Sequence, residues 1–267
     1  MGHRGPHAFN REFRWPTPGR PFRTLTAEQI AQYDRDGFFV FPAAFSAAEV
    51  AELRREIDPY QDQISRMLGR RAEKPGYTIS SNLVLRSERL RQFCATGPLA
   101  AIAHDLLDDR PRLYWEQAVY KRREHSRAFG WHQDNGKLFL EPQAYPTCWV
   151  ALTDATPENG CVWVTPGLHR LGTLEHWQSA EGWVCLEDAG RDRERAATPI
   201  PLRAGDVAVF SSVTVHMTGP NHTDQTRKAY VVQYAPGSAR SIERSPATGE
   251  LVRTPQDAEG RQFLVHG

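Results

Sequence analysis

No stretch of this chain approaches the roughly 20 consecutive apolar residues that cross a bilayer, and the opening MGHRGPHAFNREFRWP lacks the apolar centre of a signal peptide. Neither sign of charge dominates: 33 Lys and Arg stand against 32 Asp and Glu, with no long run of either. That balance gives no basis for a nucleic-acid partner or an anionic membrane surface. The cluster KRREH (121–125) is too short to change this and reads as a solvated turn. Cysteine is scarce, and Cys94, Cys148, Cys161 and Cys185 form no CxxC pair. Four free thiols in a reducing, cytoplasmic setting are the simplest expectation. Internal repeats and low-complexity tracts are also absent.

What is present is an ordinary globular composition, 40% hydrophobic and 24% charged, in a chain long enough for one large domain. Residues 1–24, with four prolines, read as an irregular arm. In LTAEQIAQYDRDG, Thr26 and Gln29 form a capping box, Leu25 and Ile30 a hydrophobic staple, and Gly37 a helix end. After the apolar strand FFVF (38–41), Ser46 and Glu49 repeat the box, with Phe45 and Val50 as staple. That helix is predicted to stop near Ile57, before Pro59. A third helix is expected over 97–109, with Leu99, Ile102, Ala103, Leu106 and Leu107 on one face.

Beyond it the pattern turns to short β-rich runs between Gly, Pro, Asn and Asp. Strands are predicted at 112–121, 130–134, 147–155, 161–167, 198–202, 206–212, 213–218 and 228–235. Such a series suggests a sandwich or barrel with the N-terminal helices packed on one sheet. One domain is expected over 25–240, with an insert or lid at about 171–197 and a C-terminal tail over 241–267.

In FGWHQDNGKLF, His132 and Asp134 are two residues apart, so on an extended strand both point one way and Gln133 points the other. Taken alone, His-x-Asp is equally a polar surface. His216 ends an apolar run and could be a core histidine satisfied by a carbonyl. Eleven residues on, Arg227 opens the next strand after a Gly-Pro-Asn turn, and an antiparallel return would bring it back near His216. Two histidines and a carboxylate make the donor set that leaves open positions on Fe(II). An arginine beside them suits a carboxylate ligand, because its planar fork binds both oxygens.

WHQDN, WVALTDATPENGCVWVTPGLHR (149–170) and GDVAVFSSVTVHMTGPNHTDQTRKAYVVQY (205–234) together resemble the phytanoyl-CoA dioxygenase family of Fe(II)/2-oxoglutarate oxygenases. The segment 27–57 is similar to the family's opening helix, strand and helix, so the resemblance covers about 25–236. It implies a mainly β fold with flanking helices, a double-stranded β-helix (jelly-roll, cupin-like) with N-terminal helices on one sheet. It also implies iron held by His132, Asp134 and His216, and 2-oxoglutarate held by Arg227 with Thr218 in support. Gln117, Lys121 and Trp149 fall where relatives contact the cosubstrate. The implied reaction consumes O2, releases succinate and CO2, and by default hydroxylates an unactivated C–H bond of a small molecule. Asp134 argues against halogenation, for which relatives lose the carboxylate.

Substrate walls are expected from Asn135, Lys137, Tyr77, Asn82, Trp177 and Trp183, and the two tryptophans could equally pack the insert down. His104, His125, His169, His176 and His222 are read as non-ligands, and Asp154 and Glu158 as turn residues. Two alternatives remain open at this level: a cupin-type metal-dependent isomerase or hydrolase, and a non-catalytic binding relative.

Overall fold

The computed structural model describes residues 3–16, 21–68, 76–107, 110–124, 126–186, 197–258 and 260–266. The helices are α1 (Ala27–Asp36), α2 (Ala47–Leu68), α3 (Glu88–Ala95) and α4 (Gly97–Leu106). The first strands are β1 (Phe38–Phe41), β2 (Tyr77–Ser81), β3 (Pro111–Lys121), β4 (Phe129–His132), β5 (Leu140–Glu141), β6 (Pro146–Ala151) and β7 (Val162–Val164). Then come β8 (Trp177–Ser179), β9 (Gly182–Val184), β10 (Thr198–Ile200) and β11 (Val207–Ser211). The last are β12 (His216–Thr218), β13 (Arg227–Pro236), β14 (Arg240–Arg244) and β15 (Leu251–Pro255).

Six strands in the order β1-β11-β6-β13-β3-β2 form the larger sheet, and β10-β7-β12-β4 the smaller, with antiparallel pairing throughout. This is the expected jelly roll. Alternation along β6 explains the layers: Cys148 and Val150 join the helix-side core with Leu53, Ile57, Leu99 and Ile102, while Trp149 and Ala151 face the space between the sheets. All six residues of β6 are buried, as a central strand covered on both faces requires.

Both capping boxes form. Gln29 N–H donates to Thr26 Oγ1 at 3.2 Å and Glu49 N–H to Ser46 Oγ at 3.3 Å, each with the reciprocal bond. α2 corrects the sequence reading, because it continues through Pro59 to Leu68. A proline forfeits one ladder bond, and the next turn buries Gln61, whose amide donates to the Ala118 carbonyl of β3 at 2.8 Å, so packing carries the helix on. α3 was not anticipated; Ser87 caps it through Leu90 N–H at 3.2 Å. The third predicted helix, expected to Asp109, ends at Leu106, and Asp109 itself lies outside the described residues.

All four cysteines are buried free thiols, and no helix among the described residues is long and apolar enough to cross a membrane. Of the expected insert, residues 187–196 lie outside the described part; the rest carries the β8–β9 hairpin. Residues beyond β13 are tied to the domain: β14 pairs with β5, and Leu113 N–H donates to the Phe263 carbonyl at 2.9 Å.

Gly37 ends α1 at φ 83°, and a Cβ there would stand 2.6 Å from His169 Nδ1 and 2.7 Å from Thr214 Oγ1. Gly167 has a similar φ of 82° but open space around it. Urea denaturation should therefore separate two alanine variants. Gly167→Ala should lose about 1–2 kcal/mol for the left-handed backbone alone, and Gly37→Ala about 1–3 kcal/mol more for overpacking. Equal losses would show that the His169 contact is slack.

Candidate active site

Antiparallel pairing places His132, the last residue of β4, opposite His216, the first of β12. Their rings lie 4.2 Å apart between centroids. Each ring is fixed through Nδ1, which faces the Gly130 carbonyl at 2.7 Å in His132 and the Thr214 carbonyl at 2.9 Å in His216. A proton on Nδ1 donates to that carbonyl and leaves Nε2 as a free lone pair, the tautomer a metal needs. Burial first, and then the neighbouring His216, hold the His132 pKa well below the usual histidine range, which keeps its ring neutral.

The expected strand 130–134 is shorter than predicted. β4 stops at His132 and Asp134 starts a 3-10 turn, but Gln133 remains extended (φ −120°, ψ 141°), so the alternation survives. Asp134 Oδ2 accepts from Thr147 Oγ1 at 2.6 Å, and Oδ1 lies 3.7 Å from His216 Nε2. One ligand atom from each of His132, Asp134 and His216 falls within 4.8 Å of the others. Two imidazoles and one carboxylate oxygen, all converging, fit a divalent iron with positions to spare.

Gln133, turned away from this cluster, is a hub. Its amide donates to the carbonyls of Gly172 (2.9 Å) and Val213 (2.6 Å), and its carbonyl accepts from Leu174 N–H (2.7 Å). Gln133 N–H donates to His176 Nε2 at 3.0 Å, and His176 Nδ1 faces the Leu174 carbonyl at 2.9 Å. His176 is thus a neutral structural histidine, as is His169, whose Nε2 meets the Asp34 carbonyl at 3.1 Å. Burial lowers each to about 4.

Asn135 is a correction. It is fully buried, and its side chain bonds Leu140 N–H at 2.9 Å and Thr173 Oγ1 at 2.8 Å, so it shapes the loop and cannot wall the substrate space.

A second correction concerns how Arg227 arrives. β12 and β13 belong to different sheets and make no hairpin. Arg227 instead pairs in register with Lys121 on the larger sheet, and Lys121 Nζ reaches across to Thr218 Oγ1 (2.9 Å) and the Gly219 carbonyl (2.6 Å). Lys121 is 0% exposed, so the KRREH cluster is not simply a solvated turn. Arg227 is 1% exposed and lies 5.1 Å over the Trp149 ring. Its Nη1 donates to the Val119 carbonyl at 3.2 Å, while the enclosed Nε and Nη2 have no partner. Among the described residues neither cation forms an ion pair. Burial, reinforced by Arg227, lowers Lys121 to about 6, and burial lowers Arg227 to about 10. Two enclosed basic side chains, with the Nε and Nη2 donors of Arg227 unused, are a cradle for an anion such as a carboxylate. Gln117 lies four residues before Lys121 on the same face of β3 and accepts from Trp115 Nε1 at 3.2 Å.

Among the expected substrate residues, Tyr77 pairs in register with Lys121, and its ring is 4.4 Å from Phe129, whose ring is 6.5 Å from His132. Asn82 follows β2 with φ 58°, its N–H on the Glu116 carbonyl. Lys137 is exposed. Trp183, 47% exposed, donates to the Gly136 carbonyl at 3.1 Å and so overlies the turn after Asp134. Trp177 is packed under Arg4, 4.2 Å from its ring, which favours the packing role for that residue. Thr147 and His176 were not legible as partners of the site, because no local spacing links them to Asp134, and the sequence set Gln133 only on the opposite face without naming its partners. His125 lies outside the described residues.

A jelly roll with a His-Asp-His cluster beside an anion cradle defines a non-haem iron oxygenase. The family model of phytanoyl-CoA dioxygenase (PhyH) matches residues 33–229. The chain belongs to that family, and its cofactors are iron and 2-oxoglutarate. It is 28% identical over 221 residues to methylphosphonate hydroxylase of Gimesia maris, covering 79% of this chain and 81% of that one. Among solved structures it is similar to the non-heme alpha ketoglutarate dependent carbocyclase SnoK from nogalamycin biosynthesis (TM-score 0.73, 24% identity, 93% of this chain and 100% of that one). It is also similar to EctD from S. alaskensis with 2-oxoglutarate and 5-hydroxyectoine (TM-score 0.71, 21% identity, 92% of each).

Thr147→Val removes the hydroxyl on Asp134 at nearly constant volume and should weaken Fe(II) binding about 10- to 100-fold, read by calorimetry; unchanged affinity would mean Asp134 orients itself. The pH dependence has a definite sign. With His169 and His176 pushed down to about 4 from an ordinary 6.5, the unfolded chain binds more protons between those values. The share of stability that these two histidines set in the metal-free protein is therefore full above about pH 6.5 and is lost as the pH drops toward 4. Urea midpoints from pH 7.5 to 4.5 test this, and a flat profile would contradict it.

Proposed function

We propose that this oxygenase hydroxylates an unactivated C–H bond of a small organic molecule and releases succinate and CO2. The observation that carries the reading is the pair of enclosed cations, Arg227 and Lys121, tied through Thr218 to the strand that begins with His216. Arg227 would take the distal carboxylate of 2-oxoglutarate on its two unused donors, with Lys121 and Thr218 beside it and Trp149 under the guanidinium. His132, Asp134 and His216 would hold the iron through Nε2, Oδ1 and Nε2.

When bound, iron and 2-oxoglutarate couple O2 reduction to oxidative decarboxylation and supply the oxidant for the C–H bond. The chain's own residues do the rest. The Gly130 and Thr214 carbonyls fix the two imidazoles through Nδ1, Thr147 holds one oxygen of Asp134, and the buried cradle would keep the cosubstrate away from water. Retention of Asp134 supports hydroxylation over halide transfer. The name of the Gimesia maris relative supports a compact substrate. A cupin isomerase or hydrolase would have no use for the cradle, and a binding module none for two tautomer-fixed imidazoles. The free, buried thiols support a cytoplasmic setting.

Anaerobic titration of the metal-free protein with Fe(II) and then 2-oxoglutarate should give a weak visible charge-transfer band that needs both additions. Asp134→Ala and Arg227→Ala should each lose it. A well-folded, iron-loaded wild-type protein without the band would refute the cosubstrate assignment.

A further inference from the structure

Past β15 the chain returns and adds to the edge of β3 beyond the end of β2. Leu113 N–H donates to the Phe263 carbonyl (2.9 Å), Val265 N–H to the Pro111 carbonyl (3.0 Å) and Gln262 Nε2 to the Tyr114 carbonyl (3.1 Å). A turn held by Arg261 N–H and Gln262 N–H on the Ala258 carbonyl, at 3.2 and 2.8 Å, presents the Arg261 side chain. Its guanidinium lies 5.5 Å over the Trp115 ring. It forms no hydrogen bond or ion pair among the described residues, and its Nε is enclosed without an acceptor.

The position is informative. Alternation sets Trp115, Gln117 and Lys121 on one face of β3; Trp115 Nε1 bonds Gln117, and Lys121 bonds Thr218 across the inter-sheet space. Arg261 therefore stands over the face that carries the cosubstrate cradle, at its other end. Trp115 and Lys121 are six residues apart, about 20 Å along an extended strand, too far for Arg261 and Arg227 to grip one small diacid. One aromatic pair links this end of the strand to the candidate metal ligands. The Tyr114 ring packs 5.4 Å from Tyr145, two residues before the Thr147 that holds Asp134. Burial and the charge on Asp134 push the Tyr114 phenol up to about 12, and Arg261 opposes them, so Tyr114 lies within reach of both charges.

We propose that Arg261 is the docking point for a small organic anion, and that the substrate of this oxygenase carries a compact oxyanion head, carboxylate or phosphonate, held there with its C–H bond toward His132 and His216. An arginine on an aromatic face, with donors unused and its backbone pinned on both sides, is preorganised for such a group. This rests on the cosubstrate reading above, since 2-oxoglutarate must occupy the Arg227 end.

The test uses the anaerobic enzyme loaded with Fe(II) and saturating 2-oxoglutarate. It is titrated with methylphosphonate, with propionate, and with neutral dimethyl methylphosphonate, and followed by calorimetry and by the visible band. At least one anion should bind and the neutral ester should not, and the better anion identifies the head group. Arg261→Gln should weaken that anion about tenfold or more, and Arg261→Lys should restore part of the loss. 2-oxoglutarate affinity should be unchanged in both variants. A normal band with no preference for anions, or equal binding by Arg261→Gln, overturns this inference alone. Failure of the wild-type band overturns the cosubstrate reading and this inference with it.

Discussion

The cross-strand pair of His132 and His216 is the constraint from which the site follows. Directly opposed residues on antiparallel strands sit close enough for their side chains to meet, so a shift of one residue would turn an imidazole to the wrong face. The smaller sheet guards against that shift from two directions. β12 is flanked on its other side by β7, where Val164 also pairs with His216. Gln133 meanwhile ties the turn after β4 to the Val213 carbonyl just before β12 and to Leu174. The residue between two candidate metal ligands thus ties the near and far halves of the cluster together.

The site divides into a cluster of candidate metal ligands and a basic cradle. In the cluster two imidazoles meet one carboxylate. At the cradle, Lys121 and Arg227 are both buried and pair in register, and among the described residues neither forms an ion pair. Burying unpaired charge works against folding, which is visible in the lowered pKa of both groups. An anion bound there would relieve that opposition, and binding and stability would then be linked through the same two side chains.

Much of this was legible because it is local. Capping boxes at Thr26 and Ser46 are three-residue patterns, and His132 with Asp134 is a two-residue one. Their consequences survive even where boundaries move, as with the 3-10 turn at Asp134. Pro59 misled because a local rule was outweighed by the burial of the following turn, with Gln61 bonded to β3. Asn135 misled because proximity in sequence to a metal ligand says nothing about which way a side chain points after a turn. Thr147, Tyr114 and Arg261 could not be placed at all, since their meaning depends on strand partners far along the chain. Arg227 was expected to return on a hairpin after His216, but it stands on the larger sheet opposite Lys121, a pairing no local spacing announces.

The order of strands in the larger sheet also bears on how the molecule is made. β13 lies between β6 and β3, yet follows both in sequence. A chain emerging from the ribosome therefore holds two apolar strands, each with an unfilled edge, until the segment 227–236 has been synthesised and threaded between them. β1 waits similarly for β11. Contacts of such long sequence separation form slowly, and open edges recruit other chains in the meantime. Arg227, the first residue of the strand that closes this gap, enters the sheet in the same event that seals it, so the pair of buried basic side chains is completed only as the larger sheet itself becomes whole.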